Sequence, residues 1–190
     1  ARRWKASEAA GMLRPTMIAD IARNCVSCHV VPHENLVNVG GHPAGSDFEL
    51  VAWSQGSIRH NNFYTKGKEN KVASIERQRL LYAVGILAEM ELLLKAVGTA
   101  EGMGDYAKAN ARRVSALRKK LAAAAKATQQ SDLVKALEAV GSLKLSLKNQ
   151  PAILEAAAAI TISLDNLAAT SNGEDLAGLD SMLPKAEDYK

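Results

Sequence analysis

The run Cys25-Val26-Ser27-Cys28-His29 holds both cysteines of the chain and one of its four histidines. Two thiols separated by two residues, with a histidine directly after the second, form the attachment pattern of c-type haem. The thiols are spaced to form thioethers to the two vinyl groups of one porphyrin. His29 is placed to ligate the iron from the same side, as the proximal ligand. A redox Cys-x-x-Cys pair, a half zinc site and a structural disulfide are the competing readings. A thioredoxin-like pair opens a helix after a hydrophobic strand, and Pro15 to Asn24 does not read as a strand. Tetrahedral zinc needs four ligands, and no second cysteine pair supplies them. The expected cofactor is one covalent haem c, held by Cys25 and Cys28.

The remaining histidines bear on the chemistry. An electron carrier needs a sixth iron ligand, whereas a gas-binding or catalytic haem leaves that place open. His33 follows His29 by four residues, just past Pro32, and reads as a surface or propionate-contacting residue. His42 sits in the turn Gly40-Gly41-His42-Pro43, which could swing round the porphyrin edge. His60 lies in Arg59-His60-Asn61, after Trp53. A helix through this stretch, capped by Ser46 or Asp47, would hold a rigid imidazole against the iron. His60 is the preferred distal ligand and His42 the alternative, ahead of the methionines.

Thioether attachment requires reduced cysteines meeting haem outside the cytosol, so a periplasmic or extracellular location is expected. Ala1-Arg2-Arg3-Trp4 has no apolar segment behind it, which reads as an exported chain whose signal is already removed. No run of 18 apolar residues occurs. The stretch Leu80 to Val97 is interrupted by Glu89, Glu91 and Lys95, so no transmembrane segment is expected.

These ligands must be carried by something, and the composition divides near residue 72. Before it lie both cysteines, all four histidines, both tryptophans and both phenylalanines; after it the chain is rich in Ala, Leu, Lys and Glu. Residues 1–72 read as a loop-rich haem-binding module, 73–175 as a helical bundle and 176–190 as an acidic C-terminal tail. The first long helix runs from Ser74 to Val97, with Leu80, Leu81, Val84, Leu87, Ala88 and Leu92 at helical spacing and Gly98 as the stop. Asp105 is expected to cap a second, which buries Ala107, Ala111, Val114, Leu117, Leu121 and Ala125. A third spans Ser131 to Lys148 with Leu133, Leu137, Val140 and Leu143 inward, and a fourth runs from Pro151 to Thr170. Short connections favour antiparallel neighbours. The expected fold is all-α: a haem module packed against an antiparallel four-helix bundle. Cytochrome c′ also uses four helices, but its haem motif lies in the last one. Here the motif precedes the helices, so the bundle should pack against the haem module rather than enclose the haem.

The net charge of +4 is unevenly spread. Residues 107–148 carry Lys108, Arg112, Arg113, Arg118, Lys119, Lys120, Lys126, Lys135, Lys144 and Lys148 against only Asp132 and Glu138. A basic stripe can serve nucleic acid. Beside an exported haem, an acidic redox partner protein is the better match, and no nucleic-acid role is expected. A solvated helix face explains the same residues without any partner. The helices have few aromatics and many alanines, so a homo-oligomer, or a subunit of a cytochrome complex, is expected.

The block His29 to Pro32, Leu36 to Gly56 and Arg59-His60-Asn61 resembles a recurring unit of multihaem c-type cytochromes, in the broad group that includes the tetrahaem cytochromes of ammonia oxidation. In them the block is followed by an Ala/Leu-rich helical region like residues 74–170. The resemblance implies periplasmic or surface electron transfer through bis-histidine haem. Trp4-Lys5-Ala6-Ser7 also resembles a Trp-x-x-Ser that often precedes a ligand histidine in such proteins, but Glu8 and Ala9 follow here. The chain departs from the family in having a single haem motif, so long-range transfer would require partner chains. The expectation is a monohaem electron carrier rather than an enzyme. The alternatives are a sensor or small-molecule protein with an open iron, of the nitric oxide type, and an assembly subunit whose haem mainly stabilises the fold.

Overall fold

The computed structural model describes residues 2–56 and 71–190, and among these it is mostly helical with no β-strand. The elements in chain order are α1 (Arg2–Ala9), α2 (Ile18–His29), α3 (Glu34–Asn38), α4 (Leu50–Ser54), α5 (Ile75–Gly98), α6 (Asp105–Thr128), α7 (Ser131–Gly141) and α8 (Gln150–Thr170). A 3₁₀ segment, Glu174–Met182, follows α8.

Helix α5 is the centre. Ser74 caps it by accepting from the Arg77 amide, which satisfies one of the unpaired N–H groups of the first turn. Apolar residues then occur on nearly every side, and Val84, Leu87, Ala88, Leu93 and Leu94 are fully buried. A helix apolar all round must be surrounded, and α5 touches α2, α4, α6, α8 and the 3₁₀ segment. Helix α7 packs on α6 and α8. One hydrophobic core joins Ile18, Ala22 and Val26 of α2 to residues as distant as Leu176 and Leu179. Gly98 permits α8 to pack closely on α5: a Cβ there would stand 2.7 Å from Leu154 Cδ2.

The long helices follow the apolar spacing, but their ends do not all fall where it suggests. Helix α6 is preceded by Gly104, and Asp105 is its first residue rather than its cap. Helix α7 stops at Gly141 instead of continuing to Lys148. The apolar pattern goes on through Leu143, Leu145 and Leu147, yet these pack on the core from a connection that is irregular up to Ser146 and then makes one 3₁₀ turn, Leu147–Asn149. Arg118 Nη2 holds that connection by donating to the Leu143 carbonyl at 2.6 Å. At the start of α7, Gln130 supplies the cap, accepting from the Asp132 and Leu133 amides.

Residues 147–170 are long and apolar enough to cross a membrane by length and composition alone, although they contain no unbroken run of 18 apolar residues. In this fold Ile153, Ile160, Leu164 and Leu167 are completely buried, and α8 makes its most extensive contacts with α5. Three helices are pinned by one cation. Arg23 of α2 meets Glu91 of α5 at 2.9 Å and Asp165 of α8 at 2.8 Å, and Lys95 joins Glu91 from the next turn. Burial works against the charge on Glu91, but Lys95 and Arg23 outweigh it and hold the carboxyl below its usual range.

Candidate haem attachment site

The Cys-x-x-Cys-His run occupies the last two turns of α2. That helix forms because Ile18, Ala22 and Val26 recur every four residues and are buried against the core. Cys25 and Cys28 are then three apart and Cys25 and His29 four apart, which sets all three on one side of the helix. Both thiols are free. Cys25 is half-buried against the core and Cys28 is exposed. Burial, and next the neighbouring Cys28, push the Cys25 thiol above its ordinary pKa.

His29 is the last residue of α2, where the chain leaves the helix in an extended conformation at Val30. Residues 44–46 return alongside it. The Val31 amide donates to the Ala44 carbonyl at 3.1 Å and the Ser46 amide to the His29 carbonyl at 3.2 Å. This return places Ser46 Oγ 2.7 Å from His29 Nδ1. It also places Phe48 face to face with the imidazole, with centroids 4.2 Å apart and planes 20° apart. Trp53 is tilted against both rings at 5.6 and 5.9 Å.

The aromatic pair is fixed by α4, and the cap of α4 is Glu49. Its two oxygens accept from the Val51 amide at 3.0 Å and the Ala52 amide at 2.6 Å. Burial raises the Glu49 pKa, against the effect of those two amides. Neither Ser46 nor Asp47 is the cap, contrary to the spacing argument, because the helix begins at Leu50 and only Glu49 precedes it directly.

Arg113 of α6 closes the end of α2. Nη1 donates to the His29 carbonyl at 3.0 Å, and Nη2 donates to Glu89 of α5 at 2.9 Å and to the Ser46 carbonyl at 3.4 Å. Burial, then the Arg113 charge, lower the His29 pKa, with Glu89 opposing. The shift favours the uncharged imidazole, the form that can ligate a metal.

The donor set fits a c-type haem. Two free thiols and one imidazole share a side of one helix. Nδ1 is taken by Ser46, and Phe48 covers the face of the ring and not its edge, so Nε2 is the nitrogen left for a metal. Among the described residues no three His, Cys, Asp or Glu side chains converge as a metal site. A haem asks for no such cluster, since the porphyrin supplies four of the iron's ligands.

The other candidate ligands are scattered. His33 is exposed at the start of α3, beside an open hollow bordered by Leu36 and Val39. His42 is exposed and its Nδ1 is 2.7 Å from the carbonyl of the adjoining Pro43. His60 lies outside the described residues. A cleft of about 530 Å³ lined by Ile18, Arg77, Leu80 and Ala168 lies at the other end of α2, away from His29. Sequence reasoning missed Phe48, Arg113, Glu89 and the part played by Ser46. Their partners lie 17 or more residues away, so no local spacing reveals them.

No family model, no curated protein and no solved structure matches this chain.

Proposed function

We propose that this chain is a monohaem c-type cytochrome that transfers electrons in a periplasmic or surface compartment. The observation that carries the reading is the site around His29: two free cysteines and a histidine on the last turns of one helix, with Nδ1 engaged by Ser46 and Nε2 left to a metal. When bound, the haem supplies one-electron chemistry at its iron. Cys25 and Cys28 tether it, His29 is the proximal ligand, and Phe48 and Trp53 shield the imidazole face from water. His60 is the proposed distal ligand, with His42 as the alternative. The multihaem cytochrome resemblance rests on the residues quoted for it and belongs to this same proposal.

In this reading α5, α6, α7 and α8 form an antiparallel four-helix bundle against which the haem module packs. The contacts of α5 with α6 and α8, and of α7 with the same two helices, support that order. The exposed cations Lys108, Arg112, Lys119, Lys120 and Lys126 of α6 form the docking face for an acidic redox partner. They share the helix with Arg113, which touches His29. A second copy, or other subunits of a cytochrome complex, would extend the transfer path beyond one haem.

The test is the intact mass and visible spectrum of protein matured in a host that attaches haem c. Electron transfer predicts a mass increase of one haem and low-spin bands in both oxidation states, unaltered by carbon monoxide. High-spin bands that shift with the gas would instead assign an open iron of the sensor or small-molecule type. An unmodified mass would overturn the haem reading altogether.

A further inference from the structure

We infer that Ser46 is a positioning residue for the iron ligand: it fixes the tautomer and ring plane of His29, strengthens the imidazole as a donor and lowers the reduction potential. The inference rests on the haem reading above and goes beyond it, because neither the motif nor its spacing points to Ser46.

Among the described residues the hydroxyl has no other hydrogen-bond partner. The cap of α4 is Glu49, so Ser46 Oγ is not needed there. Its hydrogen bond is with His29 Nδ1 at 2.7 Å. An imidazole that gives the Nε2 lone pair to a metal carries its proton on Nδ1, so Nδ1–H must donate and Ser46 Oγ must accept. With this partner absent, water or another group can take Nδ1, and the ring is freer to turn.

The serine is held firmly against the histidine. Its amide donates to the His29 carbonyl at 3.2 Å. Its own carbonyl accepts from Arg113 Nη2 at 3.4 Å, while Nη1 of the same guanidinium binds the His29 carbonyl at 3.0 Å. Glu89 steadies the guanidinium from α5 at 2.9 Å. Gly45 makes the approach possible, since a Cβ there would run into both the Arg113 guanidinium and the His29 carbonyl. Rotation of the imidazole is thus checked at its edge by Ser46 and on its face by Phe48, stacked 20° from parallel.

The electronic consequence has a definite sign. A donor bond from Nδ1–H to an oxygen places more electron density on the ring, which stabilises ferric over ferrous iron and lowers the potential. Partners of this kind change metal affinity by roughly ten- to a hundredfold when removed.

The experiment compares the midpoint potential and the low-temperature EPR g-values of the haem-loaded wild type with those of Ser46→Ala and Ser46→Thr at one pH. Ser46→Ala is expected to raise the ferrous-to-ferric ratio at a given potential about tenfold, roughly 59 mV for one electron. Its g-values should broaden as the ring plane loosens. Ser46→Thr, which keeps the oxygen, should stay near wild type on both measures. Should Ser46→Ala fail to retain haem, the pair Ser46→Thr and Ser46→Val, alike in shape and differing in the hydroxyl, carries the same comparison. Haem-loaded variants lacking the hydroxyl that keep the wild-type potential and g-values overturn the inference and leave the haem reading intact. A wild type that acquires no haem overturns that reading first and is recognised by its mass.

Discussion

The guanidinium of Arg113 in α6 donates to the main-chain carbonyl of His29 at 3.0 Å, across 84 positions of sequence. A carbonyl in the last turn of a helix has no partner within that helix. Arg113 supplies one from outside and, through Glu89, ties the end of α2 to α5 as well. His29 is therefore anchored to α5 and α6, the two longest helices among the described residues.

Arg113→Ala should leave the His29 and Ser46 carbonyls and Glu89 without their shared donor. The expected loss is about 1–3 kcal/mol, read as a lower urea midpoint at unchanged slope. Gly45→Ala should act in the same direction, because its methyl collides with the same guanidinium. Midpoints equal to wild type in both variants would show that α2 is not latched in this way.

The fold should weaken in acid through Glu91. Its carboxyl is 2 % exposed and paired with Arg23 and Lys95. Its folded pKa lies below the ordinary value of 4.5, so the folded state binds this proton less readily than the unfolded chain does. The stabilisation is complete above about pH 4.5 and fades as pH falls towards the folded pKa. Glu91→Gln should cost about 2 kcal/mol at pH 7 and flatten the acid limb of a Tm–pH profile. An acid limb as steep as wild type would assign the effect to other carboxylates.

His60→Ala should convert a low-spin haem to a five-coordinate or water-bound form that takes up carbon monoxide. His33→Ala and His42→Ala should leave the spectrum unchanged, in keeping with their exposed positions on short loops. A high-spin form produced by His42→Ala alone would transfer the distal role to the Gly-Gly-His-Pro turn. No change from either would leave a methionine, a residue of another chain, or no sixth ligand at all, and the electron-carrier reading would have to be reargued.

Leu179→Ala should cost about 2–5 kcal/mol, although the residue lies in the acidic C-terminal segment. Its side chain is fully buried, as is that of Leu176. The segment is further held by a bidentate bond from Arg79 to Asp180 at 2.6 and 2.7 Å. Thermal unfolding checks this, and a loss under 0.5 kcal/mol would mean that the segment is only loosely attached.

Oxidation of the haem by ferricyanide, an anion, should slow as salt rises, because the α6 cations lie within reach of the site. Lys119→Glu combined with Lys120→Glu should lower the low-salt rate several-fold and reduce the salt dependence. A rate indifferent to both salt and substitution would remove α6 as the docking face.

The sequence by itself determined the chemistry on offer and the helical character of the chain. Cys25, Cys28 and His29 are adjacent, so their grouping on one side of a helix follows from local geometry alone. The cores of α5, α6 and α8 follow equally from apolar residues recurring every three to four positions, and Val84, Leu117 and Leu164 are buried where that period sets them. What only the tertiary structure decided involves residues far apart in the chain. Ser46 reads as a helix cap until the return of residues 44–46 sets it against His29. Arg113 reads as one cation among ten until α6 crosses the end of α2. The C-terminal segment reads as an acidic tail, because exposed acids surround its two buried leucines, Leu176 and Leu179, and the period is too short to announce a buried face. Helix α7 ends six residues before its apolar pattern does: a hydrophobic period records which side chains are buried, and the backbone that delivers Leu143 and Leu147 is set by what they pack against.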